Sequence, residues 1–185
     1  MPTVNPAPPP DGLAAFNALD AGEAEAELLA CCASRAFARR VAAARPYPDA
    51  DRLAGAAEAA VRELDWPDVL EALAAHPRIG QAPGPQDTGR ESAWSRREQS
   101  GVGAAGPELL EGLAEGNRAY ERRFGHVYLV CATGLSAEEM LERLTRRLGN
   151  DEEAEQDVVR TELAAITRLR LARLLGTTPA PEETP

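Results

Sequence analysis

A histidine held directly before a proline is the first residue of this sequence whose type and position suit catalysis. His76 begins the run His-Pro-Arg-Ile-Gly. The residue before a proline is driven away from helical backbone angles, so His76 is predicted to stand at a helix end on extended backbone. A helix C-terminus favours the imidazolium ion, so we expect the charge of His76 to be poised near neutral pH. Such a histidine suits proton transfer, although a histidine that caps a helix or closes the edge of a core has the same position.

A second cluster, Ser95-Arg-Arg-Glu98-Gln99, brings a hydroxyl, a carboxylate and an amide into one short segment. Ser95 and Glu98 are three residues apart, so on a helix they share a face. Side chains of these types can orient a histidine and bind a polar ligand. The alternative is an ordinary charged helix surface, and this segment alone does not separate the two.

An arginine in the last predicted helix falls on an apolar stripe. Val159, Leu163 and Ile166 recur at helical spacing, and the next position of that stripe is Arg170. A buried cation without a partner is costly, so Arg170 needs an anion. That anion is either a carboxylate of the protein such as Glu98, which makes the arginine structural, or a carboxylate of a substrate.

Two further polar residues accompany apolar stripes. Arg147 flanks the stripe of the preceding helix, whereas Arg146 faces away from it, so Arg147 has a weaker case of the same kind. Asn117 lies on a stripe of its own helix. A buried amide must satisfy its hydrogen bonds, so we interpret Asn117 as structural rather than catalytic.

The elements that must position these residues are predicted to be helices. The sequence is rich in alanine and leucine, which favour helix, and we predict about eight helices in an all-α domain. Arg45-Pro46-Tyr47-Pro48 interrupts them, because proline cannot continue a helix. The apolar run 127–132 is either a strand or buried extended chain, which periodicity cannot decide.

Caps locate several helix ends in the second half of the chain. Gly125 is a predicted C-cap. Ser136-Ala-Glu-Glu139 has the pattern of a capping box and opens a helix. Asn150 is the predicted cap of the last helix, which runs to about Leu175.

The domain organisation predicted from composition is one helical domain over residues 11–176. Residues 1–10 and 177–185 are proline-rich tails that we predict to be disordered, and residues 80–90 are a polar loop. A chain of 185 residues is long enough for one sizeable core.

Charge and composition exclude several classes of protein. The net charge of −10 opposes binding to nucleic acid or anionic membranes, so an anionic substrate must be held by particular arginines. Two histidines and three cysteines, without a CxxC or HExxH pattern, leave too few ligands to predict a metal site. No signal peptide or apolar span is apparent, and we expect a reduced, cytoplasmic protein.

Six motifs, taken in order, resemble those of one enzyme family. They are Ala75-His-Pro-Arg-Ile-Gly80, Ser95-Arg-Arg-Glu-Gln99, Asn117-Arg-Ala-Tyr-Glu-Arg-Arg-Phe-Gly125, Cys131-Ala-Thr-Gly134, Arg147-Leu-Gly-Asn150 and Ile166-Thr-Arg-Leu-Arg-Leu171. Shorter matches lie near Phe16 and Cys31. Each motif alone is weak, but together, over residues 13–175, they resemble the 2-oxo-4-hydroxy-4-carboxy-5-ureidoimidazoline (OHCU) decarboxylases.

The resemblance implies an all-helical enzyme, usually a homodimer, that makes (S)-allantoin in the last step from urate. It implies that His76, Glu98 and Arg170 are the catalytic residues. It implies that the substrate-binding residues are Pro77, Ser95, Gln99, Tyr128, Leu129, Val130, Cys131 and Ala132, the last five through a stretch whose backbone contacts the ligand.

The resemblance also implies a reaction without a cofactor. Decarboxylation leaves an electron pair that needs a sink, and the family's substrate carries a C=N bond beside the carbon that loses CO₂. His76 would then transfer the proton, Glu98 would orient it or the ureido group, and Arg170 would hold polar groups of the ligand. Two alternatives stay open: a relative that acts on another ureide, and a helical binding domain without activity.

Overall fold

The structure, a computed structural model, describes residues 11–81 and 90–177 of the chain. These residues form nine α-helices and one 3₁₀ turn, and no strand occurs among them. The prediction of an all-α fold is confirmed, with nine helices where about eight were expected. The helices are α1 (Gly12–Ala18), α2 (Ala21–Cys31), α3 (Arg35–Ala43), α4 (Ala50–Arg62), α5 (Trp66–Ala74), α6 (Arg90–Glu98), α7 (Pro107–Phe124), α8 (Ala137–Arg147) and α9 (Glu152–Leu174), with the 3₁₀ turn Ser100–Val102 after α6.

Three predictions fall wholly or largely outside the described residues. They are the disordered tails 1–10 and 177–185 and the polar loop 80–90, of which the structure leaves out 1–10, 82–89 and 178–185. The domain limits 11–176 likewise remain a prediction. At the described end of the chain, the Thr177 N–H donates to the Ala172 carbonyl at 2.9 Å and so closes the C-terminus of α9.

Most helices begin where a short polar side chain can accept from a free backbone N–H. Aspartate or serine side chains cap α1, α2, α3, α4, α8 and α9 in this way. The capping box of Ser136 and Glu139 is confirmed. The prediction that Asn150 caps α9 is wrong: Asp151 accepts from the Ala154 N–H, and Asn150 turns inward to donate to Glu155 at 2.8 Å.

Helix ends follow the proline and glycine signals of the sequence. Helix α3 ends at Ala43, two residues before the Arg45–Pro46 bond. Helix α7 ends at Phe124 and is capped by Gly125, whose φ of 76° is in the left-handed region that glycine adopts without strain. The predicted C-cap is therefore confirmed.

The extended segment 127–132 separates two clusters of buried apolar side chains. The first cluster is built mainly by helices α1 to α5 and α9, and it receives Leu129. The second is built mainly by α7 and α8, and it receives Tyr128, Val130 and Ala132. Successive side chains of extended backbone point to opposite sides, so one short segment contributes to both cores. The apolar run is thus buried extended chain, one of the two alternatives that the sequence left open.

Helix α9 is the longest helix described, with 23 residues, and it packs on α2 and α4. Its buried residues extend from Glu155 to Leu171, so one face of the helix borders the interior along most of its length. Within residues 11–81 and 90–177, no helix combines the length and apolarity needed to cross a membrane.

Candidate active site

The ring of His76 is neutral and has a defined tautomer. It follows α5, and its Nδ1 lies 2.9 Å from the Ala72 carbonyl oxygen. Because a carbonyl only accepts, Nδ1 carries the proton and Nε2 presents a lone pair. Burial first, and the charge of Arg170 second, lower the pKa of His76 to about 4. The expectation of a charge poised near neutral pH is therefore wrong, because desolvation outweighs the helix terminus.

The Nε2 atom of His76 is buried and has no hydrogen-bond partner in the described part of the chain. Beside it lies an inner cavity of about 20 Å³, roughly the space of one water molecule. The walls of this inner cavity are His76, Pro77, Ile79, Ser95, Glu98, Gln99, Tyr128, Leu129, Val130, Ala132 and Ile166. A buried lone pair beside a cavity that Ser95, Glu98 and Gln99 also line is suited to accept a proton from a bound ligand.

A wider outer pocket of about 330 Å³ adjoins the inner cavity. The two share Pro77, Ser95 and Gln99 as walls. The outer pocket alone has the volume of a small-molecule site. The outer pocket and the inner cavity therefore lie next to each other at these three residues.

Two arginines hold the carboxylate of Glu98. Arg170 donates from Nε and from a terminal nitrogen to its two oxygens at 3.0 and 2.9 Å, and Arg173 donates to Oε1 at 2.7 Å. Burial acts to raise the pKa of Glu98, but the hydrogen bonds and charges of Arg170 and Arg173 outweigh it and leave the pKa below its usual value. Glu98 is therefore ionised, and the three groups together carry one net positive charge.

Arg170 lies behind the inner cavity rather than in its wall. It donates to the Ser95 hydroxyl at 3.0 Å as well as to Glu98, and both of those residues do face the cavity. The partner of Arg170 in this structure is thus Glu98, the first of the two alternatives. The helical stripe correctly placed this arginine in the interior.

The other residues of the predicted site also converge. Pro77, Ser95, Gln99, Tyr128, Leu129, Val130 and Ala132 all line the inner cavity with His76 and Glu98. The side-chain oxygen of Gln99 accepts from the Gly80 N–H at 3.2 Å and so ties α6 to the His76 segment. Cys131 is the exception, since it is absent from the cavity wall, and its N–H donates to Glu162 at 2.7 Å.

Arg147 takes part in a separate buried network. It donates to the Glu155 carboxylate at 2.6 and 2.8 Å and to the Leu129 carbonyl at 2.6 Å, while the Tyr120 hydroxyl donates to the same carboxylate. Arg147 thus has a protein partner, and it also supports the cavity segment from behind. Arg146 is exposed, as the helical spacing indicated.

Asn117 has the structural role that was predicted. Its amide nitrogen donates to the Ile79 carbonyl at 2.8 Å, which attaches α7 to the segment after His76. Its amide oxygen is buried without a hydrogen-bond partner in the described part of the chain.

Sequence reasoning missed Arg173, Glu155 and Glu162. Arg173 follows Arg170 by three residues, a spacing that puts both on one helix face, and this signal was available. The pairing of Glu155 with Arg147 and the contact of Glu162 with Cys131 join different elements, so no local pattern reveals them. Within the described residues, no group of three or more His, Cys, Asp or Glu side chains is arranged to hold a metal.

The structure is an all-helical domain in which a neutral, partly buried histidine lies beside a doubly paired carboxylate, an arrangement whose side chains are suited to acid–base chemistry. The family model for OHCU decarboxylase matches residues 17–172. The chain therefore belongs to the OHCU decarboxylase family.

Relatives of known sequence agree with this assignment. The uric acid degradation bifunctional protein TTL of Arabidopsis thaliana is 33% identical over 160 residues, which are 86% of this chain and 49% of that protein. The OHCU decarboxylase of Haloferax volcanii is 26% identical over 135 residues, or 73% of this chain and 78% of that one. The chain spans about half the length of the plant protein, so it corresponds to one part of it.

Solved structures share the fold. A crystal structure of OHCU decarboxylase in the presence of (S)-allantoin superposes with a TM-score of 0.69 at 28% identity and covers 81% of this chain and 97% of that one. A crystal structure of (S)-allantoin synthase gives a TM-score of 0.64 at 19% identity, over 88% of this chain and 53% of that one, and supports the fold alone.

Proposed function

We propose that this protein decarboxylates OHCU to (S)-allantoin, the reaction that ends the route from urate to allantoin, and that His76 transfers the proton. The observation that carries the proposal is the unpartnered Nε2 lone pair of a neutral His76 beside a cavity walled by Glu98, Ser95 and Gln99. A general base needs this free lone pair within reach of the substrate.

The chemistry needs no electron sink from the protein. In OHCU one ring carbon carries a hydroxyl and a carboxylate, and its neighbour is the carbon of a C=N bond. When CO₂ leaves, the electron pair of the broken C–C bond moves toward the nitrogen, which takes up a proton and leaves an enol. The hydroxyl proton then departs as that oxygen becomes a carbonyl, and the neighbouring carbon gains a proton and becomes the stereocentre of allantoin.

His76 is placed to carry the proton in this last exchange. With Nδ1–H fixed on the Ala72 carbonyl, Nε2 can accept the hydroxyl proton and return a proton to the carbon. The low pKa of about 4 keeps the ring unprotonated before the substrate binds and makes its imidazolium a better proton donor than an ordinary imidazolium once it forms. A single fixed nitrogen that delivers the proton from one side would give one hand of the product.

Glu98, Ser95 and Arg170 would bind and orient the substrate. The cluster of Arg170, Arg173 and Glu98 has one net positive charge inside an acidic protein, which suits a carboxylate ligand. Arg170 would act on the substrate through the Ser95 hydroxyl and the Glu98 carboxylate that it holds, or directly after a change of side-chain conformation.

The test is an assay with freshly generated OHCU. The substrate decays unaided in water, so the enzyme must raise the rate of CO₂ release, and circular dichroism must show the (S) hand of allantoin in excess. A product formed at the unaided rate as a racemate contradicts the proposal. Turnover of another ureide but not of OHCU would favour the alternative of a relative with altered chemistry.

We further propose a cytoplasmic homodimer, as the family resemblance implies. Light scattering of the purified protein after size exclusion measures the mass directly. A mass of one chain, 19.7 kDa, at working concentration would contradict the dimer.

A further inference from the structure

The extended segment 127–132 forms a wall of the site without belonging to a sheet. Backbone N–H and C=O groups that are buried must find hydrogen-bond partners, and a segment outside a helix or sheet must take them from side chains. The partners of this segment therefore decide how it is held.

Two charged side chains from the C-terminal helices supply those partners. Arg147 of α8 donates to the Leu129 carbonyl at 2.6 Å, and Glu162 of α9 accepts from the Cys131 N–H at 2.7 Å. Residues two apart in extended backbone direct their peptide groups to the same side. Leu129 and Cys131 are thus both fastened on the side of α8 and α9.

The peptide groups of Val130, which lies between them, point the other way. Neither its N–H nor its C=O makes a hydrogen bond within the described residues, and Val130 lines the inner cavity together with His76 and Glu98. The unused donor and acceptor of Val130 are therefore available to a ligand in that cavity.

Helix α9 connects this wall to the one that Ser95 and Glu98 form. Glu162, Ile166 and Arg170 are spaced by four residues and share one face of the helix. Glu162 holds the backbone wall, Ile166 lies in the cavity wall between, and Arg170 holds Glu98 and Ser95 on the other side. Eight residues of helix, about 12 Å, therefore set the distance between the two walls.

We propose that Glu162 is a positioning residue of this enzyme: by holding the Cys131 N–H it directs the Val130 peptide groups at the substrate and fixes the width of the site. The proposal rests on the decarboxylase function proposed above for its kinetic effect, but not for its effect on the backbone. Glu162 itself does not line the inner cavity, so it acts through the peptide that it holds.

The test compares Glu162→Ala, Glu162→Gln and the control Glu153→Ala. Glu153 is an exposed residue of the same helix. Glu162→Ala removes the acceptor, so KM for OHCU should rise about 10- to 100-fold with a smaller change in kcat, because binding groups are misplaced rather than removed. Glu162→Gln keeps an oxygen acceptor at the same reach and should restore most of the loss. Glu153→Ala should match the wild type.

Amide hydrogen exchange gives a second readout that needs no activity. The peptide containing residues 128–132 should exchange faster in Glu162→Ala than in the wild type, and at the wild-type rate in Glu153→Ala. A folded Glu162→Ala protein with wild-type KM and wild-type exchange overturns the proposal, as does a lower melting temperature with KM unchanged. A wild-type protein inactive on OHCU would instead refute the proposed function, while the exchange experiment would still decide the role of Glu162.

Discussion

At the scale of single residues, catalysis depends on the difference between two histidines. His76 has an unpartnered Nε2 and lines the inner cavity, whereas His126 lies outside the cavity wall and packs edge-on against Trp66 and Tyr120, with ring centroids 5.3 and 5.5 Å away. The Nδ1 atom of His126 lies 3.0 Å from the Val127 carbonyl oxygen, and aromatic rings surround the rest of its ring. His126 is therefore the natural control for His76.

The first prediction is that His76→Gln keeps its fold and loses turnover. Glutamine is polar and of similar reach, but it cannot exchange a proton, so kcat should fall about 10²–10⁴-fold. Its slow product should drift toward racemic allantoin as the unaided reaction overtakes the enzyme. His126→Gln should retain rate and stereochemistry. A fast and stereospecific His76→Gln enzyme would move the proton transfer to another group.

The second prediction concerns pH and follows from the low pKa of His76. The folded pKa of about 4 lies below the ordinary value of 6.5, so between these values the unfolded chain binds more protons. Stability should therefore fall as pH falls from 6.5 toward 4, and His76→Gln should flatten that slope. The acid limb of kcat/KM should lie nearer pH 4 than pH 6.5. Chemical unfolding and initial rates across this range measure both, and an acid limb at pH 6.5 would contradict a buried neutral ring.

The third prediction separates the two arginines on Glu98. Arg170→Met leaves Glu98 paired with Arg173, so the free energy of unfolding should fall by less than the roughly 3–5 kcal/mol that an unpaired buried charge costs. A variant that lacks both Arg170 and Arg173 should lose close to the full amount, roughly 3–5 kcal/mol of unfolding free energy, which is the cost of an unpaired buried charge. Activity should already be lost in Arg170→Met, because Ser95 and Glu98 lose the group that orients them.

Urea titrations of the single and double variants measure these losses. If Arg170→Met is as unstable as the variant without both arginines, Arg173 by itself does not stabilise the buried charge of Glu98.

The residues of the candidate site could be predicted from the sequence because each is marked by a local pattern. The proline after His76, the three-residue spacing of Ser95 and Glu98, and the apolar stripe that ends in Arg170 are visible without a fold. The charge of His76 was predicted wrongly, since it depends on burial and on Arg170, which lies 94 positions away along the chain. Long-range desolvation has no signature in a local pattern.

At the scale of elements, caps were predictable and packing partners were not. The box of Ser136 and Glu139 and the glycine at 125 are correct because capping is local chemistry. The prediction of Asn150 missed the true cap by one residue, because the aspartate at 151 is an equally good capping residue. The side chain of Asn150 instead donates a hydrogen bond to Glu155. The extended form of segment 127–132 depends on contacts with α8 and α9, which the sequence alone does not reveal.

The fourth prediction compares two adjacent arginines of α8. Arg147→Leu leaves the Glu155 carboxylate, only 1% exposed, without its cation, and should cost roughly 3–5 kcal/mol of stability. Arg146→Leu alters an exposed position and should change stability by less than about 0.5 kcal/mol. Thermal melts compare the two. Equal melting temperatures would mean that Tyr120 and Asn150 satisfy Glu155 without the arginine.

At the scale of the whole molecule, the site lies where two apolar clusters meet along segment 127–132. Apolar surroundings of this kind lower the local dielectric constant and so strengthen each electrostatic contact within the site. The net charge of −10 opposes an anionic substrate at a distance, and the excess positive charge of the Arg170, Arg173 and Glu98 cluster opposes that effect locally. Composition alone predicted the repulsion by the net charge, whereas the local positive charge depends on the fold that brings Glu98 and the two arginines together.

The last prediction is that turnover does not depend on a metal ion. In the proposed reaction, the C=N bond of the substrate accepts the electron pair, and the residues around His76 supply proton transfer and orientation, so no step calls for a Lewis acid. Exhaustive treatment with EDTA should therefore leave kcat/KM for OHCU unchanged, and added divalent ions should not raise it. The His76→Gln variant, treated in parallel, shows how much product the unaided reaction contributes. A loss of rate on chelation that one particular metal restores would mean that an ion, rather than the ring of His76 and the substrate's own C=N bond, carries part of the chemistry.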